Sequence, residues 1–135
     1  MANVNVRWIG GKQFAAIDST NHSVVLSTAD EGVGMKPSDL LLVALASCTA
    51  VDVVEILEKK RMSLSHLEIS VSAEQDSDPP WTFRKIFVNY ALSGKNLREK
   101  DVAQAISLSE EKYCSVAATI RGVAEIITAF NILNE

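Results

Sequence analysis

Two residues of this 135-residue chain, Cys48 and Cys114, carry the side chains best suited to covalent chemistry. Cys48 lies near the middle of the apolar stretch Pro37-Ser38-Asp39-Leu40-Leu41-Leu42-Val43-Ala44-Leu45-Ala46-Ser47-Cys48. Cys114 follows a polar-apolar segment, as Tyr113-Cys114-Ser115-Val116. A thiolate attacks oxidants, and a second thiol within reach can then close a disulfide behind it. That chemistry requires the fold to bring two separate segments together.

Composition alone favours a plainer reading, since free cysteine is among the most buried residue types and packs as a small hydrophobe. Cys48 is about three turns past Pro37, too deep for the positive end of a helix to ionise it. It therefore needs a nearby cation. Arg7, Lys12, Arg84 and Arg121 are the candidates, and the sequence does not choose among them. Cys114, at a break between helical pieces, reads as the more mobile and more accessible thiol. Glu110 and Glu111 read as solvated. His22 and His66 lack ligand-like spacing to either thiol, so no metal site is expected. Gly10-Gly11-Lys12 lacks the spaced glycines and terminal Lys-Ser/Thr of a phosphate loop. Trp8 and Trp81 read as packing residues.

The elements that must position these thiols can be read from hydrophobic periodicity. Val4, Val6 and Trp8 alternate with polar residues as a strand with one buried face. After a turn at Gly10-Gly11-Lys12, Phe14–Asp18 returns as a second strand, and His22–Leu26 forms a third. Pro37 opens a helix over 37–60, with Asp39 favourable in its first turn and Lys59, Lys60 and Arg61 at its carboxyl end. Residues 40–51 are apolar on nearly every side and should be surrounded by protein. Leu67, Ile69, Val71 and Ala73, then Ile86, Val88, Tyr90 and Leu92, alternate as a hairpin closed by a loop at 75–81. Ser93-Gly94-Lys95-Asn96 reads as the next turn. Val102, Ile106 and Tyr113 share one face of a following helix. A further helical piece runs from Cys114 to Arg121, and Ala124–Ile132 closes the chain as a strand. The order is α+β rather than alternating βαβ.

The length fits one domain over residues 1–135. A formal net charge of −4 gives no support for nucleic-acid or anionic-membrane binding. The apolar run 40–51 is shorter than the roughly 20 residues that span a bilayer. Two cysteines do not make a secreted disulfide framework, and a reducing cytoplasmic location follows. A helix greasy all round in so small a chain calls for a second subunit to cover it, most simply in a symmetric homodimer.

The motif Pro37-Ser38-Asp39-Leu40-Leu41-Leu42 leading to Ala46-Ser47-Cys48-Thr49-Ala50 resembles the central-helix motif of the OsmC/organic hydroperoxide resistance family. Glu111-Lys112-Tyr113-Cys114-Ser115-Val116 resembles that family's second-cysteine motif. The resemblance covers essentially the whole chain. It implies an α+β fold with antiparallel sheets packed around long central helices in an intertwined homodimer, with active sites at the subunit interface. It also implies a thiol-dependent peroxidase that needs no bound cofactor and acts on small hydrophobic peroxides. Cys48 would attack the peroxide and become a sulfenic acid. Cys114 would resolve it to a disulfide, and a dithiol reductant, a lipoyl group in characterised members, would reset the pair. The family's peroxidase branches carry a glutamate directly after the helix-opening proline, orienting an arginine from the early strands. Here Ser38 takes the glutamate's place and Asp39 follows it, about 100° further round the helix. Lys12 and Arg7 are the cations in the early-strand region. Those departures leave a second reading, a non-enzymatic dimer that binds a small hydrophobic ligand at its interface.

Overall fold

A computed structural model describes residues 2–133. Strands β1 (Asn5–Gly10), β2 (Gln13–Ile17) and β3 (Ser23–Ser27) are followed by helix α1 (Pro37–Lys59). Strands β4 (Ser63–Gln75) and β5 (Phe83–Lys95) lead to helix α2 (Glu99–Leu108), a π-helical turn at Ser109–Tyr113, helix α3 (Ser115–Ile120) and strand β6 (Glu125–Leu133). The chain divides into two compact units, Met1–Leu42 and Val43–Glu135, with the division falling inside α1.

The first unit holds the antiparallel meander β1-β2-β3. Gly11, with φ of +52°, makes the tight turn between its first two strands, a conformation that costs glycine little. The Glu31 carboxylate pins this turn, accepting from the Lys12 N–H at 2.9 Å and from Gln13 Nε2 at 3.1 Å. The Lys12 N–H bond holds that carboxyl below its ordinary range. The face of β1 expected to be buried is open: Val6 and Trp8 are both exposed, Trp8 at 65%. β1 is an edge strand, and nothing among the described residues covers this face.

The second unit is built on the sheet order β4-β5-β6. β4 and β5 pair antiparallel, as their alternation predicts, but β6 runs parallel to β5. The sheet is therefore mixed rather than antiparallel. The helical segment between β5 and β6 makes this possible, because parallel neighbours need a crossover of a dozen or more residues. Gly94 is not in a turn; it lies within β5, opposite Leu64, where an added Cβ would collide with the Ser63 carbonyl. β5 is the central strand, and its alternate residues Ile86, Val88, Tyr90 and Leu92 are all buried. Leu45, Thr49, Val53 and Leu57 form the buried stripe of α1, spaced four apart along the helix. Each such leucine contributes roughly 2 kcal/mol by leaving water. Lys60 ties the end of α1 to α2 through Asp101 at 3.0 Å and through Gln104.

The remainder of α1 departs from expectation. Leu41, Val43 and Val51 are exposed, and only 22% of the most apolar window of the helix is buried. The apolar run 40–51 is by itself too short for a bilayer, yet the full 23-residue helix is long and apolar enough, by length and composition, to cross one. Trp81, in the β4–β5 loop, is exposed as well. Neither tryptophan is a core residue within this chain.

Candidate active site

The two thiols do meet. Cys48 is half-buried on the regular helix α1, and Cys114 shares a hydrogen bond with it. Cys114 is the less accessible of the two, at 2% exposure, which reverses the sequence expectation. The reason is local. α2 does not continue as an α-helix through Tyr113 but widens into the π-helical turn, and Cys114 then adopts an extended conformation (φ −83°, ψ 109°). The widened turn swings Tyr113 outward, to 55% exposure, and brings Ser109 and Cys114 inward. Irregular turns of this kind recur at functional sites.

Further hydrogen bonds fix Cys114 and its turn. The Cys114 N–H donates to the Ser109 carbonyl at 2.7 Å. Its Sγ caps α3 by accepting from the Ala117 N–H at 3.3 Å. Ser109 Oγ, fully buried, donates to Asp52 Oδ2 on α1 at 2.8 Å and lies 3.3 Å from the Thr49 carbonyl. Tyr90 reaches in from β5, its hydroxyl donating to Thr49 Oγ1 at 3.1 Å. Thr49 Oγ1 in turn donates to the Leu45 or Ala46 carbonyl. Thr49, Asp52, Tyr90 and Ser109 thus form a polar cluster immediately beside the sulfurs.

Burial shifts three ionisable groups in and around this cluster. Burial, followed by the hydrogen bond with Cys48, pushes the Cys114 thiol up to about 11, so it is protonated at neutral pH. Burial pushes the Tyr90 hydroxyl up to about 12, with further negative influence from Glu110 and Cys114. Glu110, read from sequence as solvated, is half-buried, and its carboxyl is pushed up to about 7, chiefly by burial and against the attraction of Arg121. Its Oε1 is fully buried and has no hydrogen-bond partner among the described residues.

The remaining candidates fall elsewhere in the sequence. Arg84 is engaged by Asp76, with Nε and Nη2 both directed at the carboxylate. Lys12, in the first unit, pairs with Asp30 at 3.7 Å, both side chains well exposed. Arg7 on β1 and Asp39 in the first turn of α1 are exposed, and neither makes an ion pair among the described residues.

Sequence reasoning missed Thr49, Asp52, Tyr90, Ser109 and Glu110. Tyr90 carried a signal: a tyrosine at an inward position of a buried strand needs a partner for its hydroxyl. Nothing in the pattern distinguished Ser109 or Glu110 from their solvated neighbours.

The sequence profile of the family described as OsmC-like protein matches residues 28–128, including both thiol segments. The chain belongs to the OsmC-like family. In sequence it is similar to protein YhfA of Escherichia coli (strain K12), 29% identical over 128 residues, which cover 95% of this chain and 96% of YhfA. In structure it is similar to a hypothetical protein from Aquifex aeolicus VF5, with a TM-score of 0.91 and 29% identity over 100% of this chain and 98% of that one. It also shares its fold with the organic hydroperoxide resistance protein OhrB of Bacillus subtilis, at a TM-score of 0.65 and 18% identity over 97% and 98% of the two chains.

Proposed function

We propose that this OsmC-like protein is a thiol-dependent peroxidase that reduces organic hydroperoxides through a sulfenic acid and disulfide cycle. The observation that carries this reading is the hydrogen-bonded pair of sulfurs, Cys48 half-exposed and Cys114 buried beside it. Cys48 is the thiol a substrate can reach, and it attacks the terminal peroxide oxygen and releases the alcohol. Cys114, kept as a thiol by its surroundings, holds its proton until it displaces the hydroxyl from the Cys48 sulfenic acid as water. A small dithiol, a lipoyl group being a suitable example, then reduces the disulfide. Relatives in fold that are named for organic hydroperoxide resistance support the same substrate class.

The exposed apolar side of α1, with Leu41, Val43 and Val51, and the open face of β1, with Val6 and Trp8, support a homodimer in which a second copy covers both. In that assembly α1 is a central helix rather than a membrane span. Lys12 and Arg7 remain the candidate cations for Cys48 in this reading, with Asp39 the carboxylate that would orient one of them, and the reducing cytoplasm is its setting.

Stopped-flow oxidation by cumene hydroperoxide, followed by mass spectrometry of both thiols, tests the proposal. Rapid loss of the Cys48 thiol and gain of a disulfide are expected. A free Cys48 after excess hydroperoxide removes the reading.

One observation favours a second reading, a small-molecule binder with inert thiols. A cleft of about 520 Å³ is lined by Ile56, Leu108 and Tyr113 together with Asp52, Glu55, Lys59 and Lys60. A Cys48→Ser variant that retains ligand affinity while hydroperoxide leaves the wild type unchanged would support this binder.

A further inference from the structure

Asp52 is the one charged side chain in the polar cluster beside the sulfurs, and the thiol cycle as written leaves it unused. It stands four residues after Cys48 on α1, on the same face and about 6 Å further along the axis. Its Oδ2 accepts from Ser109 Oγ at 2.8 Å. Ser109 Oγ carries a single proton, and the Thr49 carbonyl at 3.3 Å is the longer of its two choices. Ser109 is fully buried, and a buried hydroxyl left without an acceptor is costly. The same residue also binds through its backbone. Its carbonyl takes the Cys114 N–H at 2.7 Å, the five-residue bond that closes the widened turn. Two short bonds thus run from Asp52 through Ser109 to Cys114. They join the helix that carries one thiol to the turn that carries the other. Among the described residues, Ser109 makes the only hydrogen bonds from this turn to α1.

We propose that Asp52 is a positioning residue for the thiol pair: it docks the Ser109 turn on α1 and so holds the Cys114 sulfur within reach of Cys48. The inference rests on the thiol-pair reading above and adds the residue that sets the geometry of closure. In the closing step the Cys114 S–H and Cys48 S–O bonds break, the S–S bond forms, and the hydroxyl leaves with a proton as water. The oxidising equivalent came from the hydroperoxide, which departed as its alcohol. Asp52 exchanges no proton or electron in this step. It acts through the fraction of time that the turn spends docked. A competent state populated only part of the time weakens whatever depends on it in the same proportion.

The test is disulfide closure driven by diamide, a reagent that needs no hydroperoxide. Diamide adds to the Cys48 sulfur, and Cys114 then displaces it. Two electrons and two protons leave on the reagent as a hydrazine. Quenched-flow mass spectrometry follows the adduct as it gives way to the disulfide. In Asp52→Ala this decay should slow by about tenfold, the equivalent of one hydrogen bond to a charged group. In Asp52→Asn the amide oxygen still accepts from Ser109, and the rate should return to within about threefold of wild type, the difference between a charged and a neutral acceptor. Wild-type decay in Asp52→Ala overturns the inference. Equal slowing in both variants also overturns it, because the charge and not the bond would then be at work. If Asp52→Ala does not fold, Asp52→Ser, polar but too short to reach Ser109, takes its place with the same outcomes. A protein that ignores cumene hydroperoxide yet shows the Ala–Asn difference with diamide retains this inference and loses the peroxidase reading. The reverse result loses the inference alone.

Discussion

The two cysteines sit in opposite kinds of backbone. Cys48 is carried by an uninterrupted 23-residue helix whose buried stripe, from Leu45 to Leu57, is fixed in the core. Cys114 sits at a joint between a π-helical turn and a six-residue helix, in extended conformation, held by Ser109 and Ala117. In the proposed cycle a regular helix and an irregular joint would divide the work of the thiol pair. The first would fix where the reagent is met, and the second would supply whatever movement the S–S bond demands.

Cysteine replacements test that division with the largest expected effect. Cys48→Ser should abolish hydroperoxide consumption. Cys114→Ser should still be oxidised once, leaving a sulfenic acid that dimedone traps and mass spectrometry detects. If Cys114→Ser loses the first oxidation as well, the two thiols do not have separate roles.

A smaller effect separates platform from joint. Leu45→Ala, one turn before Cys48 and fully buried, should cost about 2–5 kcal/mol in urea unfolding. Ser109→Ala removes the tie from the turn to Asp52 and the Thr49 carbonyl. It should cost about 1–3 kcal/mol because a buried acceptor loses its donor. Its effect on disulfide closure should exceed its effect on the first oxidation, a split visible when the two phases are followed separately.

The smallest effect concerns pH. The folded pKa of Glu110 is raised from 4.5 to about 7. The folded state therefore binds the proton more tightly, and stability falls as pH rises from about 4.5 to about 7. Glu110→Gln removes that fall. It should be more stable than wild type above pH 7 by on the order of 1 kcal/mol, after screening of a half-buried group is allowed for. Urea titrations at both ends of that window measure the difference.

Legibility in the sequence followed the same division. The platform was written plainly: Pro37 and the Lys59-Lys60 pair bracket α1, and period-two alternation marks β4 and β5 because each has one inward face. Both thiol segments carried their family resemblance locally. The break at Cys114 is legible, but the widening of the turn before it is not, since an extra residue in a helical turn leaves no trace in a 3.6-residue pattern. A regular pattern therefore places Tyr113 inward and Glu110 outward, and the break alone puts Cys114 in the open. The direction of β6 was equally silent, because alternation fixes which residues face inward but not which way a strand runs. The exposed Leu41 and Trp8 show a third limit: a hydrophobic pattern says that a surface is to be covered, not whether the same chain covers it.

The central claim is that the Cys48 and Cys114 sulfurs form one redox couple. Reduced protein treated with one equivalent of cumene hydroperoxide, then alkylated and mapped by peptide mass spectrometry, tests it most directly. The account predicts a peptide pair joined through Cys48 and Cys114, with the bond lost on treatment with a dithiol. Both cysteines recovered as alkylated free thiols would contradict it.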